Sequence, residues 1–513
     1  MTTNRQDVTR ALVLAAGQGT RLQNGSPKPL FDLLGVPLLA RTLFTLQKAG
    51  ITDAHVVLGH QAEAVRNAIE SISRLTIRVH WLFNDEWTRP NGYSVLAAAS
   101  VMDGPFVLTM CDHVFDPTIV ERLFETPREP GEILLAVDRD IAGVADLDDA
   151  TKVTLGTDGI TRIGKDLESF DAVDTGVFLA GPTLFDGIRE AALTRGEGSL
   201  SAGVQVLADA GHVRPADVTG LMWQDVDTLQ HAAVAERKLM ATVRKVTDGP
   251  IAKRVNRPIS GAISRRLVRT GVTPNQLTFA NLFIGFLSAG LSAVGGYFAF
   301  LIAGILFQVT SILDGADGEV AKLTFRSSKQ GEWFDTVSDN VTYVACLLGL
   351  TIGATRHALP RFYSISGAVG LVMAVATFAS LYTYLIRQKG SGSLLAVEYD
   401  FRTRTGPIAR ALQVGQYLTK RDVFAFGIMA LAIIGQLPLV LPFFAGATII
   451  LFSLSIRANL ALRPAPAPAQ AAGGAVNAAA GQPGTISTPL APGVTTLSWS
   501  TEREPSGVSE PAG

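Results

Sequence analysis

The chain has almost no cysteine. Two residues in 513, Cys111 and Cys346, cannot build a disulfide framework or a cysteine-rich metal cluster. Charge is scarce too: Asp, Glu, Lys and Arg make up 17% of the residues, against an ordinary share of about 25%. Neither sign dominates, with 44 basic residues against 45 acidic ones and a formal net charge of −1. The basic footprint of a nucleic-acid-binding protein is missing, so nucleic acid is not an expected partner. Met1–Arg10 is polar and lacks the apolar stretch of a secretory signal peptide, so none is expected. Apolar residues are in excess, at 47%, and the mean hydropathy is +0.28.

Those apolar residues are unevenly spread. Residues 1–240 read as an α/β domain: a strand at Ala11–Ala15, a helix at Leu38–Ala49, and strands at Ala54–Leu58, Thr76–Leu82 and Phe106–Met110. Alternating strands and helices predict a doubly wound, mostly parallel sheet. Ligands of such sheets sit beyond the carboxyl ends of the strands. Residues 241–274 form a basic connector. Ile251, Val255, Ile259, Ile263 and Leu267 recur every fourth residue, with Lys253, Arg254, Arg257, Arg265, Arg266 and Arg269 between them. That pattern suits a helix lying on an anionic membrane surface.

Residues 275–460 are dominated by long apolar runs. A bilayer core of about 30 Å takes about 20 helical residues. Six spans are expected, at 276–296, 297–321, 332–355, 362–386, 422–437 and 438–457, the fifth being short. Basic residues cluster at 253–269, 322–329, 387–421 and 457–463, which predicts an integral membrane protein with both termini and both sites on the cytoplasmic side. Residues 461–513 are rich in Ala, Pro, Gly, Ser and Thr without periodicity, and read as a disordered tail.

Two clusters carry chemistry. The first is Leu14-Ala15-Ala16-Gly17-Gln18-Gly19-Thr20-Arg21 directly after the first strand, followed by Ser26-Pro27-Lys28-Pro29. Glycines let backbone N–H groups approach phosphate, and Arg21 and Lys28 add cations. The loop lacks the full GxGxxG of a dinucleotide site. Asp112 ends the Phe106–Met110 strand, and Asp227 lies in Trp223-Gln224-Asp225-Val226-Asp227-Thr228. Each aspartate alone reads equally as a turn or cap. His113 is a neighbour, and Cys111 has no assigned chemistry.

These residues resemble the sugar-phosphate nucleotidyltransferase family over about residues 8–240. The resemblance implies that Ala15, Ala16, Gly17, Gly19, Thr20 and Arg21 hold a triphosphate. It also implies that Lys28 neutralises the attacked α-phosphate, that Asn91, Gly92 and Ser94 shape the nucleotide pocket, and that Asp112 and Asp227 hold Mg²⁺. Ile163-Gly164-Lys165-Asp166 and Val173-Asp174-Thr175-Gly176 narrow the likeness to inositol-1-phosphate cytidylyltransferases. Lys165 would then meet the acceptor phosphate and Asp174 the polyol hydroxyls; as bare residues they read equally as surface and turn groups.

The second cluster is Asp314-Gly315-Ala316-Asp317-Gly318-Glu319-Val320-Ala321-Lys322, followed by Gly331-Glu332-Trp333-Phe334-Asp335-Thr336-Val337-Ser338-Asp339. Asp314 and Asp317 are i,i+3, and Asp335 and Asp339 are i,i+4, so each pair shares a helix face. Four converging carboxylates in spanning segments repel unless cations join them. The spacing resembles the signature of the CDP-alcohol phosphatidyltransferase family, over about residues 250–460, with Lys322 where Arg is usual. By that resemblance Asp314, Asp317 and Asp335 bind two divalent cations, Mg²⁺ or Mn²⁺. Asp339 acts as general base and touches a metal, and Gly318, Lys322 and Gly331 border the nucleotide. Lys420 and Arg421 are the nearest candidates for an acceptor phosphate.

A chain carrying both halves resembles the bifunctional inositol-1-phosphate cytidylyltransferase and di-inositol-phosphate phosphate synthase family. The implied partners are CTP, a polyol phosphate, a CDP-alcohol intermediate, membrane lipids and a second copy of the chain. Two alternatives stand: a cytidylyltransferase fused to a phospholipid or phosphonolipid headgroup transferase with a lipid acceptor, and a six-span transporter with a nucleotide-sensing domain.

Overall fold

The computed structural model describes residues 8–22, 25–244, 248–387 and 421–461. The tail expected to be disordered, and Lys420 with most of the 387–421 basic cluster, lie outside the described residues.

The first half is built on a nine-stranded sheet. Seven strands run Ile160–Gly164, Lys152–Leu155, Ala172–Ala180, Phe106–Met110, Arg10–Ala15, Asp53–Leu58 and Arg78–Phe83. Ile133–Asp138 pairs with Ala172–Ala180 on one side and Val213–Asp217 on the other. The expected strands are present, but the sheet is mixed: Ala172–Ala180 runs antiparallel to each of its neighbours. Arg10–Ala15 is central and parallel to both neighbours, and is buried on both faces. Ala11, Val13 and Ala15 enter one core and Leu12 and Leu14 the other, as a period of two requires. Each such fully buried Leu or Val stabilises the fold by roughly 1.5–3 kcal/mol. Pairing of Leu14 with Met110, and the Cys111 N–H to Leu14 C=O bond at 3.0 Å, put the glycine loop and Asp112 at one sheet edge.

Five helices among the described residues are long and apolar enough to cross a membrane: Pro274–Val294, Tyr297–Leu323, Lys329–Arg356, Arg361–Ser380 and Leu437–Ile456. The segment expected as a fifth span is a 13-residue helix, Arg421–Ile433, as far as it is described. At about 1.5 Å per residue, those 13 residues reach about 20 Å, short of a bilayer core. Close packing of the first and third apolar helices depends on small residues. A Cβ at Gly349 would lie 2.2 Å from the Ala289 carbonyl oxygen, and one at Gly353 2.1 Å from that of Ser292.

The connector helix, Arg257–Leu267, packs against the second apolar helix, and the side it buries is polar. Asn256, Ser260 and Ser264 are buried, whereas Ile259 is 44% exposed. Ser260 Oγ and Ser264 Oγ donate to the Glu319 carboxylate at 2.9 and 2.7 Å. Arg257 Nη1 joins the same carboxylate at 2.9 Å, while its Nε and Nη2 hold Asp248. Along the connector's apolar row Ile259 is exposed, whereas Ile251, Val255, Ile263 and Leu267 are half-buried, and Leu267 packs against the core that holds Val320 and Leu323.

Candidate active sites

The glycine loop closes one wall of a cavity of about 420 Å³. Of the expected residues, Ala15, Ala16, Gly17, Gly19, Thr20, Arg21, Lys28, Asn91, Ser94, Asp112 and Asp227 line it. Gly19 has φ +65°, and a Cβ there would lie 2.3 Å from Lys28 Cβ, so conformation and close approach both call for glycine. Gly92 does not line the cavity; it packs against the Gly198 carbonyl. Asn91 Oδ1 accepts the Leu200 N–H at 2.9 Å, and Asn84 Nδ2 donates to Ser94 Oγ at 2.9 Å, which fixes both polar side chains at the rim.

Charges alternate along the cavity floor. Lys28 Nζ donates to both Asp112 and Asp227. Arg21 donates to Asp227 Oδ2 at 2.8 Å and to Asp149 Oδ2 at 2.8 Å, and Lys165 donates to the other Asp149 oxygen. At the far end His113 Nδ1 meets Asp112 Oδ1 at 2.9 Å. Lys28 is buried, which opposes its charge, but the two aspartates outweigh that and push its pKa up. Burial likewise opposes ionisation of Asp112, but Lys28 and His113 hold its carboxyl well below the usual range. Asp149 is held down to about 2 by its bonds from Lys165 and Arg21. Burial pushes the Cys111 thiol up, so it stays protonated and supplies no nucleophile. Burial raises Asp174 to about 6, against the Gly176 N–H that donates to it. Asp174 belongs to the Ala172–Ala180 strand, near His113 but outside the cavity lining.

Sequence reasoning missed three neighbours here. Asp149, 128 residues from Arg21 and 16 from Lys165, ties the two together. Trp87 and Arg89 line the cavity, and Arg89 lies 3.4 Å above the Tyr93 ring centroid. The only available signal was the nearness of Arg89 to Asn91–Ser94.

The second cluster forms where the second and third apolar helices approach. One carboxylate oxygen each from Asp314, Asp317 and Asp335 lies within 4.8 Å of the others. Thr278 Oγ1, on the first apolar helix, donates to Asp317 Oδ2 at 2.8 Å. Arg421 Nη1 joins Asp314 and Asp339. Arg421, expected near an acceptor phosphate, thus sits among the carboxylates themselves. Asp422 caps the turn before the connector helix, accepting the Ala252 N–H at 2.7 Å. Gly318 borders open space, where a Cβ would meet nothing within 4 Å. Gly331 N–H is capped by Ser328 Oγ, and Lys322 is exposed. Three oxygen donors at this spacing fit a hard divalent cation, and no soft ligand is among them.

Both halves of the chain match known families. The MobA-like NTP transferase domain family matches residues 11–206, and the CDP-alcohol phosphatidyltransferase family matches residues 271–449. The Bifunctional IPC transferase and DIPP synthase of Rubrobacter xylanophilus is 36% identical over 72% of this chain and 83% of its own. That of Archaeoglobus fulgidus is 33% identical over 71% and 70%. The solved inositol-1-phosphate CTP transferase from T. maritima covers 45% of this chain and 95% of its own, at 22% identity and a TM-score of 0.39.

Proposed function

The chain belongs to the family of bifunctional IPC transferases and DIPP synthases, and from that premise we propose that it performs two transfers in sequence. In the first, a phosphate oxygen of inositol 1-phosphate attacks the α-phosphorus of CTP, giving CDP-inositol and pyrophosphate. In the second, a hydroxyl of another inositol 1-phosphate attacks the phosphoinositol phosphorus of CDP-inositol, and CMP leaves. The observation that carries this reading is the presence, in one chain, of a cation-lined glycine-loop cavity and a three-carboxylate cluster within 4.8 Å.

The first nucleophile is already anionic and needs no base, so positioning and charge neutralisation suffice. Backbone at Ala15, Ala16, Gly17 and Gly19, with Thr20 and Arg21, holds the triphosphate; Lys28 faces the α-phosphate. Asn91 and Ser94 shape the base and ribose end, with Gly92 packed against the Gly198 carbonyl beside them, and Lys165 takes the phosphate of the polyol while Asp174 meets its hydroxyls. The second nucleophile is a neutral hydroxyl and must lose a proton, which Asp339 accepts. Lys420 and Arg421 take the acceptor phosphate, while Gly318, Lys322 and Gly331 border the nucleotide.

Asp112 and Asp227 in the first site, and Asp314, Asp317, Asp335 and Asp339 in the second, are the residues that would hold Mg²⁺ or Mn²⁺, which neutralises phosphate charge and makes the departing group viable. The proposed layout is a nucleotidyltransferase part at 1–240, a membrane-surface connector at 241–274 and a phosphotransferase part at 275–460, followed by the 461–513 tail. Six spans, cytoplasmic termini and sites, and a homodimer through the spans complete it. What supports membrane integration is the set of five long apolar helices.

Membranes containing the chain, given CTP, Mg²⁺ and labelled inositol 1-phosphate, should form CDP-inositol and then a water-soluble phosphorylated phosphodiester. No CDP-inositol would reject the substrate assignment. Label passing from CDP-inositol only into lipid would reject the soluble acceptor in favour of a headgroup transferase.

A further inference from the structure

The turn joining the two aspartate-bearing helices is gripped by the nucleotidyltransferase half. The second apolar helix ends at Leu323 and the third begins at Lys329. Its end has the geometry of a Schellman cap: the Arg326 N–H reaches the Ala321 carbonyl at 2.8 Å and the Phe325 N–H the Lys322 carbonyl at 3.3 Å. The left-handed residue of such a cap is usually glycine. Here it is Phe325, at φ +54°, a backbone region that bulky side chains disfavour.

The ring at that strained position is not idle. It stacks on Phe44 with centroids 5.0 Å apart and planes 16° from parallel. The buried Arg41 guanidinium lies 5.4 Å from the Phe325 centroid. Arg74 covers the other member of the stack, 5.3 Å from the Phe44 centroid, and its Nη1 donates to the Thr324 carbonyl at 2.8 Å. All three partners belong to the first half of the chain. A second tie lies alongside: Val320 and Leu323 share one buried core with Leu22, Val114 and Val226. Those three follow Arg21, lie two residues from Asp112, and precede Asp227.

We propose that Phe325, held by Phe44, Arg41 and Arg74, is a positioning residue for the second transfer: the nucleotidyltransferase half clamps the turn and thereby sets the spacing between the Asp314–Asp317 and Asp335–Asp339 helix faces. This rests on the phosphotransferase reading of that cluster. Asp317 is six residues before the helix end at Leu323 and Asp335 six after the helix start at Lys329, so the clamp acts over roughly 9 Å of each helix. A helix tilt of a few degrees at the turn moves the carboxylates by a good part of an ångström, enough to spoil a site that tolerates about 0.5 Å. The fusion of the two halves then supplies part of the scaffold of the second site.

Phe325→Gly separates this role from simple capping, because it relieves the backbone strain while removing the ring. In full-length membranes supplied with preformed CDP-inositol and inositol 1-phosphate, Phe325→Gly should lower CMP release at least tenfold and raise the Mg²⁺ concentration for half-maximal rate several-fold. Pyrophosphate release from CTP should stay within twofold of wild type, and hydrogen exchange should rise in residues 329–340 but not in residues 10–15. Phe325→Tyr should keep CMP release near wild type, and Arg74→Gln should lower it several-fold. CMP release within twofold of wild type in both Phe325→Gly and Arg74→Gln would overturn the proposal, as would loss of both activities together. A wild-type chain that releases no CMP from CDP-inositol would instead defeat the phosphotransferase reading itself.

Discussion

In the soluble cavity a lysine stands between two aspartates, and in the helical cluster an arginine does. Lys28 bridges Asp112 and Asp227; Arg421 bridges Asp314 and Asp339. The two sites reach this common arrangement by different routes. The first gathers residues separated by up to about two hundred positions at the edge of a sheet, and its neighbours continue the alternation through Arg21, Asp149 and Lys165. The second sets its aspartates by helical register, as i,i+3 and i,i+4 pairs on adjoining helices, and draws only its arginine from a distant helix. The chemistry proposed for each follows the same divide. A phosphate nucleophile asks for fixed cations, whereas a hydroxyl nucleophile asks for a base, and in the second site Asp339 stands beside the three-carboxylate cluster.

The comparison can be broken most sharply by single substitutions. Lys28→Ala should lower pyrophosphate release, and Asp339→Asn CMP release, each on the order of 10²–10⁴ with the other step intact; separate assays of the two products check this. A folded variant that lost both would erase the division. Next in size is Glu319→Ala, which takes the acceptor from the buried Ser260 and Ser264 hydroxyls and one of the two carboxylates that Arg257 meets; it should cost about 2–3 kcal/mol of stability, read as a lowered unfolding temperature in detergent. It should harm both steps, because it loosens the connector rather than either site. Asp149→Asn should raise the KM for CTP roughly tenfold by releasing Arg21 and Lys165, with no change in the second step. The smallest effect is expected from Lys322→Arg, which keeps the cation at the proposed border of the nucleotide: CMP release should stay within about twofold and pyrophosphate release should not change.

The same contrast explains what the sequence discloses. The Asp314–Asp339 pattern is legible because helical periodicity places its members locally, and the Gly17–Gly19 loop because it directly follows a strand. Asp149 is illegible: its role depends on a loop meeting Arg21 and Lys165 in space, and nothing around it in sequence differs from an ordinary acidic turn. Arg421 was recognisable as a cation near the second site, but which groups it meets depends on packing between the Tyr297–Leu323 and Arg421–Ile433 helices. The connector's Ile and Val row was apparent as one face, whereas the Ser260–Ser264–Glu319 grip on the other face required two helices to be in contact. Phe325 ran against the local signal altogether, since a glycine would satisfy that turn. The sheet's mixed direction likewise arises from Ala172–Ala180, a strand whose composition carries no mark of its orientation.

The most direct test mixes the two single-site variants. Membranes bearing Lys28→Ala and membranes bearing Asp339→Asn, each unable to make the phosphodiester from CTP and inositol 1-phosphate, should make it when combined, because CDP-inositol released by one is consumed by the other. If the mixture stays inactive although both variants are folded and added CDP-inositol is consumed by the Lys28→Ala chain, the first site does not make that intermediate and the two-step account is wrong.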